Sequence, residues 1–202
     1  MSRVKICGLS REDDIRIVNR VLPDFIGFVF APSRRRVDTT TATALKKKLD
    51  PQIKAVGVFV NEDMEIIAEM YRNKIIDLAQ LHGDEDEAYI AKLKEHCECP
   101  LIKAVRVGSV LPPLPDNADY LLFDTLSEQR GGTGRTFDWD ILENCAGFSY
   151  FLSGGLDVNN VAKAIKTLSP FCVDVSSSVE TDGIKNEKKI DDFVRLARGN
   201  MR

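Results

Sequence analysis

"KAVGVFVNEDMEIIAEMYRNKIIDLAQLHGDEDEAYIAKLKEHCECPLIKAVRV" occupies residues 54–107, and its internal order decides the fold. Three apolar runs, "KAVGVFV", "DLAQLHG" and "LIKAVRV", read as strands. Between them "EDMEIIAEMYRN" and "DEAYIAKLKEH" read as helices. The strands are rich in Val, Ile, Leu and Phe and nearly continuous in apolar character, which implies burial on both faces, as in a parallel sheet covered by helices.

The same alternation extends in both directions. Upstream, "RVKIC" is apolar at alternate positions and leads into "SREDDIRIVNRVL", which predicts a helix with Ser10 as N-cap, Asp13 at the third helical position and Ile15, Val18 and Leu22 at helical spacing. A strand "FIGFVF", a basic loop and a helix "TTATALKKKL" follow. Downstream, "GSVLPPLPDNA" carries prolines that argue against a full helix. Then come strand "YLLFDT", a glycine-rich loop, helix "DWDILENC", strand "YFLSGG", helix "VNNVAKAIKTL", strand "FCVDVSS" and helix "EKKIDDFVRLAR". The expectation is eight strands with helices after seven of them. Strand starts recur roughly every 25 residues, as in a βα repeat. Eight such units closing on themselves give an α/β fold, a single (β/α)8 TIM barrel over residues 1–202 with an irregular segment replacing the helix after strand 5. A doubly wound open sheet is the competitor, and the count of strands and the short loops favour the barrel.

Composition narrows the function classes. The hydrophobic fraction is 44% and the charged fraction 29%, ordinary values for a chain that builds a full core. A net charge of −3 argues against a general binder of nucleic acid or anionic membranes. No apolar run approaches the ~20 residues of a membrane span, and the N-terminus reads as lacking a signal peptide. Cys7, Cys97, Cys99, Cys145 and Cys172 form no regular framework, so free thiols and a cytoplasmic location are expected. Nothing in the chain calls for a cofactor. "HCEC" at residues 96–99 lacks the spaced second ligand pair of a zinc site, and no P-loop or dinucleotide fingerprint occurs.

In a parallel barrel the chemistry collects where strands end and the following loops begin. Those ends carry Cys7-Gly8, the run Arg34-Arg35-Arg36, Asn61, Gln80 with His82, Arg106, Asp124, Gly154-Gly155, and Asp174 with Ser176-Ser177-Ser178. "LSGGL" and "DVSSSVE" place small residues after the last two strands, where barrels often bind phosphate through backbone N–H groups and hydroxyls. Cys7 and Asp124 come from strands nearly opposite in an eight-membered ring. A thiolate base and a carboxylic acid on two sides of a ligand suit proton transfer within a sugar. Position alone also allows Cys7 as a small buried hydrophobe and Asp124 as a loop cap. One arginine of the basic run suits a carboxylate or phosphate partner, and His82 fits either substrate contact or a turn.

"KICG", "GFVFAPSRRRV", "VGVFVN", "QLHGDE", "FDT" followed by "GGTGRTFDW", "LSGGL" and "VDVSSSVE" occur in that order along essentially the whole chain. Together they resemble the phosphoribosylanthranilate isomerase family of tryptophan biosynthesis. The resemblance implies a (β/α)8 enzyme that carries out an Amadori rearrangement without metal or cofactor. It converts N-(5′-phosphoribosyl)anthranilate to 1-(2-carboxyphenylamino)-1-deoxyribulose 5-phosphate. It further implies Cys7 as general base and Asp124 as general acid. Arg35, with Arg36 as the alternative, would face the anthranilate carboxylate. Gly154, Gly155, Ser176, Ser177 and Ser178 would hold the phosphate, with His82 near the substrate. The implied partner is this small molecule, with no nucleic acid and no membrane, in a monomer or homodimer. Ser178 stands where the family usually has glycine, which would crowd the phosphate or shift the backbone if its φ is positive.

Other phosphate-binding barrels fit less well. A ribulose-phosphate epimerase needs paired Asp and His metal ligands, and the only histidines are His82 and His96. An indole-glycerol-phosphate synthase wants a lysine and a glutamate at the mouth; strand 1 offers Lys5, but no glutamate ends a strand, and the histidine-pathway isomerase relies on an aspartate where Cys7 stands. A non-catalytic binder of phosphorylated metabolites would need neither Cys7 nor Asp124.

Overall fold

The computed structural model describes residues 2–125, 138–145 and 148–199. Eight parallel strands pair in chain order: β1 (Arg3–Cys7), β2 (Phe25–Val29), β3 (Lys54–Phe59), β4 (Leu78–Leu81), β5 (Leu101–Val107), β6 (Tyr120–Thr125), β7 (Tyr150–Leu152) and β8 (Cys172–Val175). β8 pairs back onto β1, with Lys5 opposite Asp174, and the barrel closes. The expected closed barrel is therefore the fold, not an open sheet.

The period-2 alternation of the strands divides the apolar residues into two cores. Phe25, Val56, Leu78, Ile102, Ala104, Leu122, Phe151 and Cys172 point inward and fill the barrel. Their alternates, such as Val4, Ile26, Ala55, Ala79, Leu121 and Val173, pack outward against the helices. At the N-terminal end the rings of Phe25 and Phe151 lie 5.4 Å apart, and the Arg3 guanidinium covers Phe171 at 4.4 Å. That end is sealed, and the inward positions turn polar only toward the other end.

The helices are α1 (Glu12–Val21), α2 (Thr39–Lys46), α3 (Met64–Arg72), α4 (Glu87–His96), α5 (Val161–Leu168) and α6 (Glu187–Ala197). Asp38, Asp63 and Asp86 precede α2, α3 and α4, and each accepts a hydrogen bond from a first-turn amide: Thr41, Glu65 and Tyr89. α1 departs from the expected cap. Ser10 does not cap it. Instead the Asp14 carboxylate reaches back and accepts from the amides of Ser10 and Arg11, at 3.0 and 3.1 Å, so the helix begins at Glu12.

The segment after β5 is irregular, as its prolines predict. Leu111 and Leu114 lean on the outer core, and Glu87 of α4 accepts from the Asp116 amide at 2.7 Å. After β6 the expected helix is a 3₁₀ turn, Trp139–Cys145, and most of the glycine-rich loop lies outside the described residues. An unforeseen hairpin follows β8: β9 (Glu180–Thr181) and β10 (Ile184–Lys185), joined by Asp182 (φ 52°) and Gly183 (φ 80°). Two successive positive φ values are what a tight hairpin turn requires.

Candidate active site

Inward-facing residues at the C-terminal strand ends surround a cavity of about 480 Å³. Cys7 of β1, Asp124 of β6, Gln80 of β4 and His82 just after it, and Asp174 of β8 all line it. The alternation that buries the lower interior carries these polar side chains one or two steps higher, into the mouth.

Cys7 ends β1, and Gly8 turns the chain sharply at a φ of 82°. The amides of Gly8 and Leu9 both donate to the Gly27 carbonyl, at 2.9 and 3.0 Å, fixing that turn. A side chain at position 8 would collide with Arg35, so the glycine beside the thiol leaves room for the arginine. Gly27, opposite Cys7 in the β1–β2 register, makes room for the thiol itself. A Cβ there would lie 2.7 Å from Cys7 Sγ. Gly27→Ala is expected to rotate or displace the thiol and lower kcat about 10²-fold, with a stability loss of about 1–3 kcal/mol from overpacking. Steady-state rates and urea unfolding measure both, and unchanged turnover would separate Gly27 from the chemistry.

Asp124 is held from two directions. The Thr125 amide donates to its Oδ1 at 2.9 Å, and His82 Nε2 stands 3.4 Å from its Oδ2. The Gln80 amide nitrogen sits 2.8 Å from His82 Nδ1. Gly154, across the strand-end gap, would place a Cβ 2.9 Å from Asp124 Oδ1, so this glycine opens the space the carboxyl occupies.

Arg35 lines the cavity, whereas Arg36 donates through Nε to the Phe30 carbonyl at 3.1 Å. The Arg35 guanidinium is already engaged: Nε and Nη2 donate to the two oxygens of Glu180, at 2.6 and 2.9 Å. Arg34 and Lys185 share that carboxylate, at 2.9 and 2.8 Å. Burial works to raise the Glu180 carboxyl, but Arg35 and Lys185 hold it below its ordinary value. Gly154, Gly155, Ser176, Ser177 and Ser178 line the same cavity. Ser178 does not adopt a positive φ, and its hydroxyl donates to the Leu156 carbonyl at 2.5 Å, tying the turn after β8 to the loop after β7. The serine thus stands without left-handed backbone strain.

Beneath the thiol lies a feature that residue types alone did not single out. Lys5 is fully buried, and its ammonium donates to both oxygens of Asp174 at 3.1 Å. Lys185 is 5% exposed and donates to the Ser176 carbonyl at 2.9 Å. The legible signal for Lys5 is its i, i+2 relation to Cys7, which puts both on the inner face of β1.

Fold and mouth together define a (β/α)8-barrel enzyme acting on a small molecule at the C-terminal ends of its strands. The family model described as N-(5′-phosphoribosyl)anthranilate (PRA) isomerase matches residues 4–196. N-(5′-phosphoribosyl)anthranilate isomerase of Endomicrobium trichonymphae is 47% identical over 199 residues, covering 98% of this chain and 99% of that protein. The Clostridium acetobutylicum isomerase is 46% identical over 205 residues, covering 98% of each chain. The phosphoribosylanthranilate isomerase structure from Thermotoga maritima superposes with a TM-score of 0.86 at 35% identity, over 98% of this chain and 100% of that one. A family structure in complex with reduced 1-(o-carboxyphenylamino)-1-deoxyribulose 5-phosphate superposes with a TM-score of 0.83 at 32% identity, with the same coverage. This chain belongs to the N-(5′-phosphoribosyl)anthranilate isomerase family. Among the described residues no helix is long and apolar enough to cross a membrane.

Proposed function

We propose that the chain isomerises N-(5′-phosphoribosyl)anthranilate in tryptophan biosynthesis, with Cys7 as general base and Asp124 as general acid. The observation that carries the reading is that these two side chains, from β1 and β6, share one cavity with Arg35 and with the small-residue turns after β7 and β8. Asp124 donates a proton to the ribose ring oxygen, and the C1′–O bond breaks as the anilino nitrogen's lone pair forms the C1′=N bond. Cys7 then takes the proton from C2′, and the electron pair moves through C1′ to the nitrogen, giving an enolamine. Loss of the 2′-hydroxyl proton and protonation at C1′ produce the ketone. All atoms of the substrate are kept, so the change is an isomerisation.

Arg35 faces the anthranilate carboxylate in this reading, exchanging part of its pairing with Glu180 for the ligand. The phosphate sits on Gly154, Gly155 and Ser176–Ser178, whose backbone amides and hydroxyls suit an anion. His82 holds Asp124. A cytoplasmic setting accords with the free thiols at Cys7, Cys97, Cys99, Cys145 and Cys172.

The test generates phosphoribosylanthranilate in situ and follows the decay of its anthranilate fluorescence. Rapid loss on adding the protein is expected. No loss with well-folded protein would leave a binder of phosphorylated metabolites, or an isomerase of another sugar phosphate, on the same barrel.

A further inference from the structure

Cys7 is flanked by two buried lysines that reach it from different parts of the chain. Lys5 stands two residues before it on the inner face of β1, fully buried, clamped by Asp174 from the adjoining strand β8. Lys185 comes from the hairpin after β8 and is held by Glu180 at 2.8 Å. Its ammonium also lies 2.9 Å from the Ser176 carbonyl and 3.4 Å from the Ser176 hydroxyl, and that hydroxyl donates to the Cys7 carbonyl at 3.0 Å. Neither lysine is among the cavity-lining residues. One buried cation thus lies below the reactive group and a second beside it at the rim, and each needs a carboxylate to be tolerated.

We propose that Lys5 and Lys185 are positioning residues that stabilise the thiolate of Cys7, each held in place by its own carboxylate, Asp174 and Glu180. The proposal rests on Cys7 as the base and adds the source of its ionisation. A thiolate in a buried setting needs nearby positive charge, and the geometry supplies two such charges through hydrogen-bonded frameworks that hold them still.

The charges around the thiol act in opposite senses. Burial pushes the Cys7 thiol up from its ordinary value; Lys5 pulls it back, Asp174 adds to the rise, and Lys185 pulls it back again. Burial alone would lower the Lys5 ammonium, but Asp174 and then Cys7 lift it above its usual value, so it stays charged. Burial lowers the Lys185 ammonium against the opposing pull of Glu180. Arg35 and Glu180 close the same side of the mouth, and Asp124 and His82 face the thiol from across the cavity.

The experiment measures the pH dependence of Cys7 alkylation by iodoacetamide, in which the thiolate sulfur displaces iodide, located by peptide mass analysis. It compares wild type with Lys185→Gln, and Asp174→Asn with the doubly neutral Lys5→Met/Asp174→Asn, so that each comparison removes one lysine charge. Glutamine keeps a donor for Ser176 while removing the charge, and Glu180 retains Arg34 and Arg35. The double replacement leaves no unpaired buried charge. Loss of a cation disfavours the thiolate, so the alkylation midpoint should move to higher pH. The rate at neutral pH should fall about tenfold for each pH unit the midpoint moves. The acid limb of kcat/KM should move with it. An unchanged midpoint in either comparison, with circular dichroism intact, overturns the proposal. A shifted midpoint with an unshifted kcat/KM profile upholds the lysines' effect on the thiol and removes Cys7 from the role of base.

Discussion

Cys7→Ala is expected to lower kcat about 10²–10⁴-fold, which is about 3–5 kcal/mol of barrier. The fold should be kept, because the half-buried thiol contributes little to either core and the β1 turn is fixed by backbone bonds to Gly27. The pH profile gives a second readout. With burial pushing the thiol up, the thiolate fraction grows as pH rises, so wild-type kcat/KM should climb with pH, and that climb should vanish in Cys7→Ala. Fluorescence decay between neutral and alkaline pH measures both. A variant that turns over at the normal rate, or keeps the climb, would place the base elsewhere.

Asp124→Asn should cost a comparable 10²–10⁴-fold, roughly, but for a different reason. Asparagine keeps an oxygen to accept from the Thr125 amide, and its volume suits the space beside Gly154. What it lacks is a proton it can give. Ring opening should become limiting, so kcat falls while KM changes little and thermal unfolding stays near wild type. The rise of kcat/KM with pH should survive in this variant, since Cys7 is intact, which distinguishes it from Cys7→Ala. Near-normal turnover would assign the acid to another group, with His82, 3.4 Å from Asp124, the next to test.

The eight strands and their order were legible because each buries both faces and writes a run of Val, Ile, Leu or Phe. The residues that meet at the mouth were legible too, since parallel strands carry their last inward side chains to one end. What the linear pattern concealed has particular causes. Ser10 looked like a cap because caps are read from the residue before a helix, whereas Asp14 satisfies those amides from inside it. The segment after β6 was too short for its period to tell a 3₁₀ turn from an α-helix. The β9–β10 hairpin has strands of two residues each, below any detectable alternation, and only the Asp182-Gly183 pair marked it. Lys5 was visible as a lysine in a strand, but its burial depends on Asp174, 169 positions away. Arg35 and Glu180 likewise meet only because the loops after β2 and β8 share a rim.

The seam between β1 and β8 also sets a time order on the ribosome. Cys7 is made long before the groups that surround it: Ser176 follows it by 169 positions, with Asp174 just ahead of that serine and Lys185 beyond it. Until the last strand and its hairpin emerge, Lys5 has no counter-charge and β1 has one exposed edge. A nascent chain therefore carries Cys7 without these neighbours until β8 and its hairpin emerge, and the surroundings of the thiol are completed only when β8 closes on β1. Contacts of such long sequence separation are slow to form, so closing the barrel and completing the surroundings of Cys7 are one event.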